Sequence, residues 1–306
     1  MRFVWNNLPV FLIWLIGASV LNNALHHIVP PVTSVIWPSL LPLVCSGILL
    51  VFALRRFGVH SRGGSVVWVA VLAGMYVLPL LHGLTVPMEN STQRMIYEFS
   101  AFAQFLVILV HARTWFRPYD WIRVFGITLA FGVILENGGI IMGMFQEGGY
   151  FLYIPGLHAP AATMIGWVNI LYCVFFSLER VLPKMPACLR GIVCAFIALS
   201  VDIPFDIVAT RLGWWTWNPQ LDVRVWDVPL INYVAWFWAL FPYGWCYYWV
   251  KERVGWTEKK KVYVMVVLIP VLLIAEFTAV LVSLWALGDR AAVDILVQSL
   301  TAFSLP

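Results

Sequence analysis

The chain has 306 residues, of which 62% are hydrophobic and only 11% are charged. A soluble domain carries roughly 25% charged residues, so this composition excludes a water-soluble protein and indicates an integral membrane protein. The net charge of +4 needs no nucleic-acid partner, because membrane topology accounts for the positions of the basic residues. None of the five cysteines forms a C-x-x-C pair, and we interpret them as small core residues rather than as disulfides or a thiol metal site.

Nine stretches are long and apolar enough to cross a bilayer, which takes about 20 residues of helix. They lie at about 8–28, 34–54, 65–85, 95–112, 121–143, 159–178, 188–210, 229–250 and 262–287. The first follows Met1-Arg2 directly and lacks a clean A-x-A cleavage site, so we interpret it as a retained helix. No soluble domain fits between the spans, and no internal repeat is evident. The predicted fold is all-α: one transmembrane domain over residues 1–306, a polytopic bundle of about nine helices.

The basic residues alternate between the two sides of this bundle. If the N-terminus is cytoplasmic, 15 of the 19 Lys and Arg residues fall on the cytoplasmic side. The other four, Arg94, Arg211, Arg224 and Arg290, fall outside. The positive-inside rule therefore predicts a cytoplasmic N-terminus, in an inner or plasma membrane.

Several ionisable residues lie inside or near the ends of the predicted spans. Each costs roughly 2.5–3.5 kcal/mol to insert at a helix centre, so each demands a reason. They are Glu98, Glu136, Asp202, Asp206 and Glu276, with His26, His27 and His82 near the outer ends of their helices. At about 1.5 Å per residue along each helix, all of them fall in the outer half of the bilayer. This polar layer predicts a site there.

Asp202 and Asp206 are four residues apart and share one face of the seventh predicted span. Pro204 between them removes a helical hydrogen bond and predicts a kink. Two carboxylates on one face in a low dielectric do not both ionise easily, so one should hold a proton at neutral pH. A protonated carboxyl group in an apolar pocket is what acid catalysis on a hydrocarbon requires.

Residues 202–238 resemble the integral-membrane carotenoid biosynthesis family that contains the carotenoid 1,2-hydratases of the bacterioruberin and myxol type. That family has two Asp residues four apart, then G-x-W-x-W, then V-P-x-x-N-x-x-x-W. The matching residues here are Asp202, Asp206, Gly213, Trp215, Trp217, Val228, Pro229, Asn232 and Trp236. A weaker match covers 136–167, where Glu136 begins an E-x-x-G pattern and Pro160 and Trp167 follow. The chain departs from the family at Ile207, where Pro is usual, and at M-F-Q-E-G-G-Y in place of an aromatic Gly-rich turn.

The resemblance implies protonation of an isoprenoid double bond, followed by hydration or ring closure. It implies Glu136, Asp202 and Asp206 as catalytic residues and Asn232, Trp215, Trp217 and Trp236 as substrate-binding residues, to which the polar layer adds Glu98 and His82. Trp214, Trp215 and Trp217 border this predicted site, and for each of them an interfacial anchor is the role that the sequence favours. No cofactor and no metal are expected, and the partners are a lipophilic isoprenoid substrate and membrane lipid.

Three other functions compete with this one. In a prenyltransferase of the UbiA type, the Asp202–Asp206 pair would hold a diphosphate through magnesium, but the N-D-x-x-D motif is missing and the pair lies on the outer side. A proton-coupled transporter would use membrane carboxylates, but no inverted repeat is visible. The chain is otherwise a non-catalytic subunit of a membrane complex. A metal site on His26, His27 and His82 has no H-x-x-x-H pair to support it.

Overall fold

The structure, a computed structural model, describes residues 2–26, 33–57 and 89–303, and these ranges are mainly helical. The helices are α1 (Arg2–Asn6), α2 (Leu8–His26), α3 (Thr33–Phe57), α4 (Asn90–Trp115), α5 (Pro118–Ile141), α6 (Ala161–Val181), α7 (Ala187–Arg211), α8 (Leu230–Lys251), α9 (Glu258–Leu287) and α10 (Arg290–Phe303). The residues Ile122–Ile127 of α5 form a π-helical turn. Four short strands join these helices: β1 (Phe145–Glu147), β2 (Trp215–Trp217), β3 (Arg224–Val225) and β4 (Val228–Pro229).

Five helices in the described ranges, α4, α5, α6, α7 and α9, are long and apolar enough to cross a membrane. The all-α membrane fold predicted from the sequence is therefore confirmed at this level. Helices α2, α3 and α8 coincide with three further predicted spans, and the predicted span at 65–85 lies outside the described residues. The count of nine spans and the cytoplasmic N-terminus stay predictions. Helix α10 was not predicted, and it buries Ile295 and Leu296 against α9.

Helix α6 forms the centre of the bundle. In its most apolar stretch 83% of the residues are buried, against 17% for α9, which leaves most of α9 free to face lipid. Helix α8 packs closely along α7 because Gly191 has no side chain: a Cβ there would lie 2.7 Å from the backbone nitrogen of Trp245. This close approach aligns the two helices that carry most of the predicted site.

The connection after α5 and the connection after α7 meet in a two-stranded antiparallel sheet. Strand β1 pairs with β2, so that Glu147 lies opposite Trp215 and Phe145 lies opposite Trp217. Side chains alternate along a strand, and here Trp215 and Trp217 are buried while Thr216 between them is exposed. The sheet therefore turns Phe145, Glu147 and both tryptophans toward the bundle.

The unit α5–β1–α6 is repeated by the unit α7–β2–α8, although the sequence analysis found no internal repeat. Gly143 and Gly213 occupy equivalent positions and have φ of +71° and +67°, a conformation that glycine adopts without a Cβ clash. The next residue in each unit closes the turn with the same backbone hydrogen bond, Met144 to Gly139 and Trp214 to Ala209, both at 2.9 Å. A strand follows each turn, and a proline N-cap, Pro160 or Pro229, begins each second helix.

The contacts between the two units indicate a pseudo-two-fold axis. Gln146 and Thr216, which are equivalent residues, pair with each other at the centre of the β1–β2 sheet. Trp167 and Trp236, which lie equally far beyond their proline caps, stack on each other with centroids 4.1 Å apart and planes at 11°. Because equivalent residues meet in both places, the axis passes between them. The repeats are parallel rather than inverted, an arrangement known in membrane proteins.

Candidate functional site

Asp202 and Asp206 share one face of α7 and are 3% and 4% exposed. The side-chain amide of Asn232, on the first turn of α8, donates hydrogen bonds to Oδ2 of both: the bond to Asp202 is 3.2 Å long. One amide nitrogen thus holds two buried carboxyl groups side by side. Helix α7 continues through Pro204 without interruption, so the proline does not separate the two aspartates.

Glu136, on α5, accepts a hydrogen bond of 3.1 Å from Nε1 of Trp167 on α6. The indole reaches this position because Gly132 lies one turn earlier on α5. A Cβ at residue 132 would lie 2.5 Å from the Cβ of Trp167. The neighbouring Asn137 accepts hydrogen bonds from the backbone nitrogens of His158 and Ala159, at 2.6 and 3.1 Å, and so anchors the loop that precedes α6.

Glu147, at the end of β1, is a site residue that the sequence analysis did not identify. Thr163 on α6 donates a hydrogen bond of 3.3 Å to its Oε2. Burial raises the pKa of the Glu147 carboxyl well above its usual value, and the neighbouring Glu136 carboxylate raises this pKa further. Its position in M-F-Q-E-G-G-Y, in which the chain departs from the carotenoid family, was the available signal.

Glu136, Glu147, Asp202 and Asp206 line one cavity, and we call these four residues the carboxyl cluster. The cavity, called cavity 1, has a volume of about 170 Å³. None of the described residues that line it is Lys, Arg or His. Four carboxyl groups without a basic partner do not all ionise in an apolar enclosure, so the cluster holds protons.

Seven of the described residues that line cavity 1 are aromatic. Trp215 and Trp217 are 6% and 7% exposed and line the cavity, so in this structure they are internal residues rather than interfacial anchors. The stacked pair Trp167–Trp236 forms the wall beside Glu136. Trp214 has a different role, because it donates a hydrogen bond of 2.6 Å to Asn90.

The rim of cavity 1 lies between α2 and α4. Ser19, Ile96 and Ser100 line it there, and all three are exposed in the described part of the chain. Tyr97, also in the lining, stacks on Trp214 with centroids 5.6 Å apart. Among the described residues, the cavity therefore extends from the carboxyl cluster to exposed positions on α2 and α4.

Glu98, one of the predicted substrate-binding residues, is not in the lining of cavity 1. Both carboxyl oxygens of Glu98 accept hydrogen bonds from the backbone nitrogen of Phe151, at 2.9 and 3.0 Å. A third bond comes from the nitrogen of Leu152 at 3.4 Å, so Glu98 fixes the loop after β1. His82 lies outside the described residues.

The geometry of Asp202 and Asp206 bears on the prenyltransferase alternative. Both Oδ2 atoms face the amide nitrogen of Asn232, which is a donor and not a metal ligand. Across residues 2–26, 33–57 and 89–303, no three His, Cys, Asp or Glu side chains are arranged to hold a metal ion. Within these ranges the D-x-x-x-D pair is arranged as a hydrogen-bonded acid pair.

Comparison of the chain with family models, with curated proteins and with solved structures gives no match. The resemblance to the carotenoid family stays an expectation drawn from residues 202–238 and 136–167.

Proposed function

We propose that the chain is an integral-membrane enzyme that protonates a carbon–carbon double bond of an isoprenoid and completes the reaction by hydration or by ring closure. The observation that carries the proposal is the carboxyl cluster in a cavity that is lined in part by aromatic rings and has no basic residue in its described lining. Such a site keeps carboxyl protons and excludes most water, and both conditions favour proton transfer to an alkene. The substrate class follows the resemblance and the apolar lining.

The proton donor in this proposal is Asp206 or Asp202. The double bond uses its π electrons to take the carboxyl proton, which forms a C–H bond and leaves a tertiary carbocation and a carboxylate. The amide of Asn232 already donates to both aspartates and stabilises the carboxylate that forms. Asn232 is therefore placed where negative charge develops.

The carbocation needs negative potential without a nucleophile that captures it permanently. The faces of Trp167, Trp215 and Trp236 supply this potential, since aromatic rings attract cations by about 0.5–2 kcal/mol each. Glu136 then acts as the base. It takes a proton from the water that adds to the cation, or from carbon after an internal alkene has closed a ring. The net change is addition of water in the first case and isomerisation in the second.

Proton return follows from the arrangement of the cluster. Glu136 ends the reaction protonated and the aspartate ends it ionised, so one proton must move between them. Asn232 and Glu136 line the same cavity as Asp202 and Asp206, which keeps this transfer short. Glu147, whose pKa burial raises, provides a second proton store beside Glu136.

The test is product analysis in a host that makes an acyclic carotenoid, with membranes incubated in D₂O. We expect a product with added water or an isomer, carrying one deuterium on carbon. Glu136→Gln, Asp202→Asn and Asp206→Asn should each lower product formation by at least about 100-fold, the usual size of general acid–base contributions. Asp222→Asn, at an exposed loop position, is the matched control. Full activity in all three site variants, or no carbon-bound deuterium, overturns the proposal.

The internal repeat favours a second candidate, a proton-coupled carrier. Many transporters are built from repeats and place membrane carboxylates at the repeat interface. In that case Glu136 and Asp206, which occupy equivalent positions, would load and release protons with a carried solute. Purified protein in liposomes would then move protons when the solute is added, with no covalent change in the solute.

A further inference from the structure

A second cavity, called cavity 2, lies on the other side of the Trp167–Trp236 stack from cavity 1. It has a volume of about 310 Å³ and lies among α5, α8, α9 and α10. Its volume is thus nearly twice that of cavity 1. Its lining is almost wholly apolar, with Leu135, Leu273, Phe277 and Val280 among the contributors.

The pseudo-two-fold axis relates cavity 2 to cavity 1. On α6, Gly166 and Ile170 line cavity 1, and their equivalents on α8, Ala235 and Ala239, line cavity 2. Helix α7 contributes Asp202 and Asp206 to cavity 1, while its equivalent α5 contributes Ile134, Leu135 and Gly138 to the wall of cavity 2. The two spaces are thus the two halves of one duplicated arrangement.

The two cavities share the residues that separate them. Glu136, Phe145, Trp167, Trp217, Asn232 and Trp236 line both. A ligand in cavity 2 would therefore contact the same indole stack and the same glutamate as a ligand in cavity 1.

Glu276 on α9 provides an unsatisfied polar group in cavity 2. Its Oε2 atom is buried and has no hydrogen-bond partner in the described part of the chain. A buried carboxyl oxygen without a partner is destabilising, and a ligand hydroxyl would supply the missing hydrogen bond. Apart from Glu276, only Glu136 and Asn232 give cavity 2 polar side chains in this lining.

We infer that cavity 2 is a second binding site, for a lipid-soluble molecule with an apolar chain and a hydroxyl end group that hydrogen-bonds Glu276. The inference depends on the repeat, the cavity and the unsatisfied oxygen, and it does not require the proposed reaction. The carboxyl cluster gives cavity 1 four acidic groups, whereas cavity 2 offers one unpartnered carboxyl oxygen in an apolar space. Cavity 2 is therefore suited to holding a ligand.

The experiment uses the detergent-purified full chain and a photoactivatable farnesol that carries a diazirine on its chain. In the wild-type protein we expect crosslinks on α9 near Glu276, and an excess of unmodified farnesol should remove them. Ala235→Leu fills cavity 2 and should abolish these crosslinks. Gly166→Leu fills the equivalent place in cavity 1 and should leave them, since a Cβ at residue 166 meets only Tyr97 Oη, at 3.9 Å.

A second variant tests the hydroxyl contact. Glu276→Leu should lower the affinity for the farnesol probe by about 3- to 10-fold, the loss of one hydrogen bond, and leave unchanged the affinity for the probe whose hydroxyl is replaced by hydrogen. Removing a buried, unpartnered carboxyl group favours folding, so this variant stays informative even if Ala235→Leu does not fold. Absent crosslinks on α9 in the wild-type protein, or equal losses for both probes, overturns the inference. Failure of the proposed reaction shows instead as absent carbon-bound deuterium.

Discussion

The indole nitrogen of Trp167 donates a hydrogen bond of 3.1 Å to the carboxyl group of Glu136. The same indole stacks on Trp236, so it joins the carboxyl group of the first repeat to the first turns of the second. Glu136 is consequently held at the boundary of both cavities rather than free to rotate. The indole of Trp167, which is itself fixed by its neighbours, thus orients the carboxyl group of Glu136. Acid–base catalysis uses this kind of preorganisation.

Trp167→Phe should lower activity about 10-fold or more, because a hydrogen bond to a charged group contributes about 1.5–3 kcal/mol. The matched control is Trp236→Phe, which removes a similar ring from the same stack. In the described residues no hydrogen bond involves the indole nitrogen of Trp236, so this control should cost packing alone. Product formation and thermal unfolding of both variants are the measurements. Equal losses of activity at equal stability would show that the bond to Glu136 has no role.

Gly132→Ala should destabilise the protein by about 1–3 kcal/mol, since the new methyl group would overlap Trp167 and force one helix to move. Gly138→Ala on the same helix is the control. A Cβ at residue 138 meets only the end of Met142, at 3.9 Å, and alanine there should be neutral or stabilise by up to about 1 kcal/mol. Thermal unfolding in detergent measures both. If the two variants unfold at the same temperature, the close contact between Gly132 and Trp167 is not present in the protein.

The sequence predicted the features that depend on one segment at a time. Long apolar stretches predict helices because lipid satisfies no backbone hydrogen bonds, and α4, α5, α6, α7 and α9 confirm that reasoning. The shared face of Asp202 and Asp206 follows from helical periodicity and is present on α7.

The features that were missed depend on contacts between distant segments. A three-residue strand such as β1 has too little length for a pattern, and its partner β2 lies far away in the sequence, so Glu147 gave no periodic signal. The repeat was not visible in the sequence because most equivalent positions hold different residue types. Glu136 is equivalent to Asp206, and Thr163 is equivalent to Asn232. Only Gly143 with Gly213, Pro160 with Pro229 and Trp167 with Trp236 keep their identity at the positions that build the turns, the caps and the stack.

Glu147 should make stability depend on pH. Its pKa in the folded chain lies well above the ordinary value of 4.5, so the folded state binds the proton more tightly than the unfolded state. The contribution of Glu147 to stability is therefore fully present below about pH 4.5 and is lost as pH rises through the folded pKa, with a limiting slope of about 1.4 kcal/mol per pH unit. Melting temperatures from pH 4.5 to pH 8 measure the slope. Glu147→Gln should flatten it, and an unchanged slope would assign the dependence to other groups.

The predicted orientation is tested by labelling from outside the cell. Loop positions 156 and 222 lie at the end of the bundle that carries the β1–β2 sheet, while Lys184 and Arg253 lie in connections at the other end. Single cysteines at Gly156 and Asp222, in a chain whose native cysteines are replaced, should react with a membrane-impermeant maleimide in intact cells. Cysteines at Lys184 and Arg253 should react only after permeabilisation. The reverse pattern would place the N-terminus outside the cell and the carboxyl cluster in the cytoplasmic half of the bilayer.

Asn232 contacts Asp202 and Asp206, and variants at these positions can distinguish a structural role of the contact from a chemical one. Asn232→Asp alone adds a third buried carboxyl group beside two others, and it should cost about 3 kcal/mol or more, since like charges then share one apolar site. The exchange Asp206→Asn with Asn232→Asp restores one amide and two carboxyl groups at the same place, so it should recover most of that stability. It should not recover activity, because the acid then projects from α8 rather than from α7. Thermal unfolding gives the first comparison and deuterium incorporation the second. An exchanged pair that is both stable and active would show that the position of the acid does not matter, and it would remove the role assigned to Asp206 on α7.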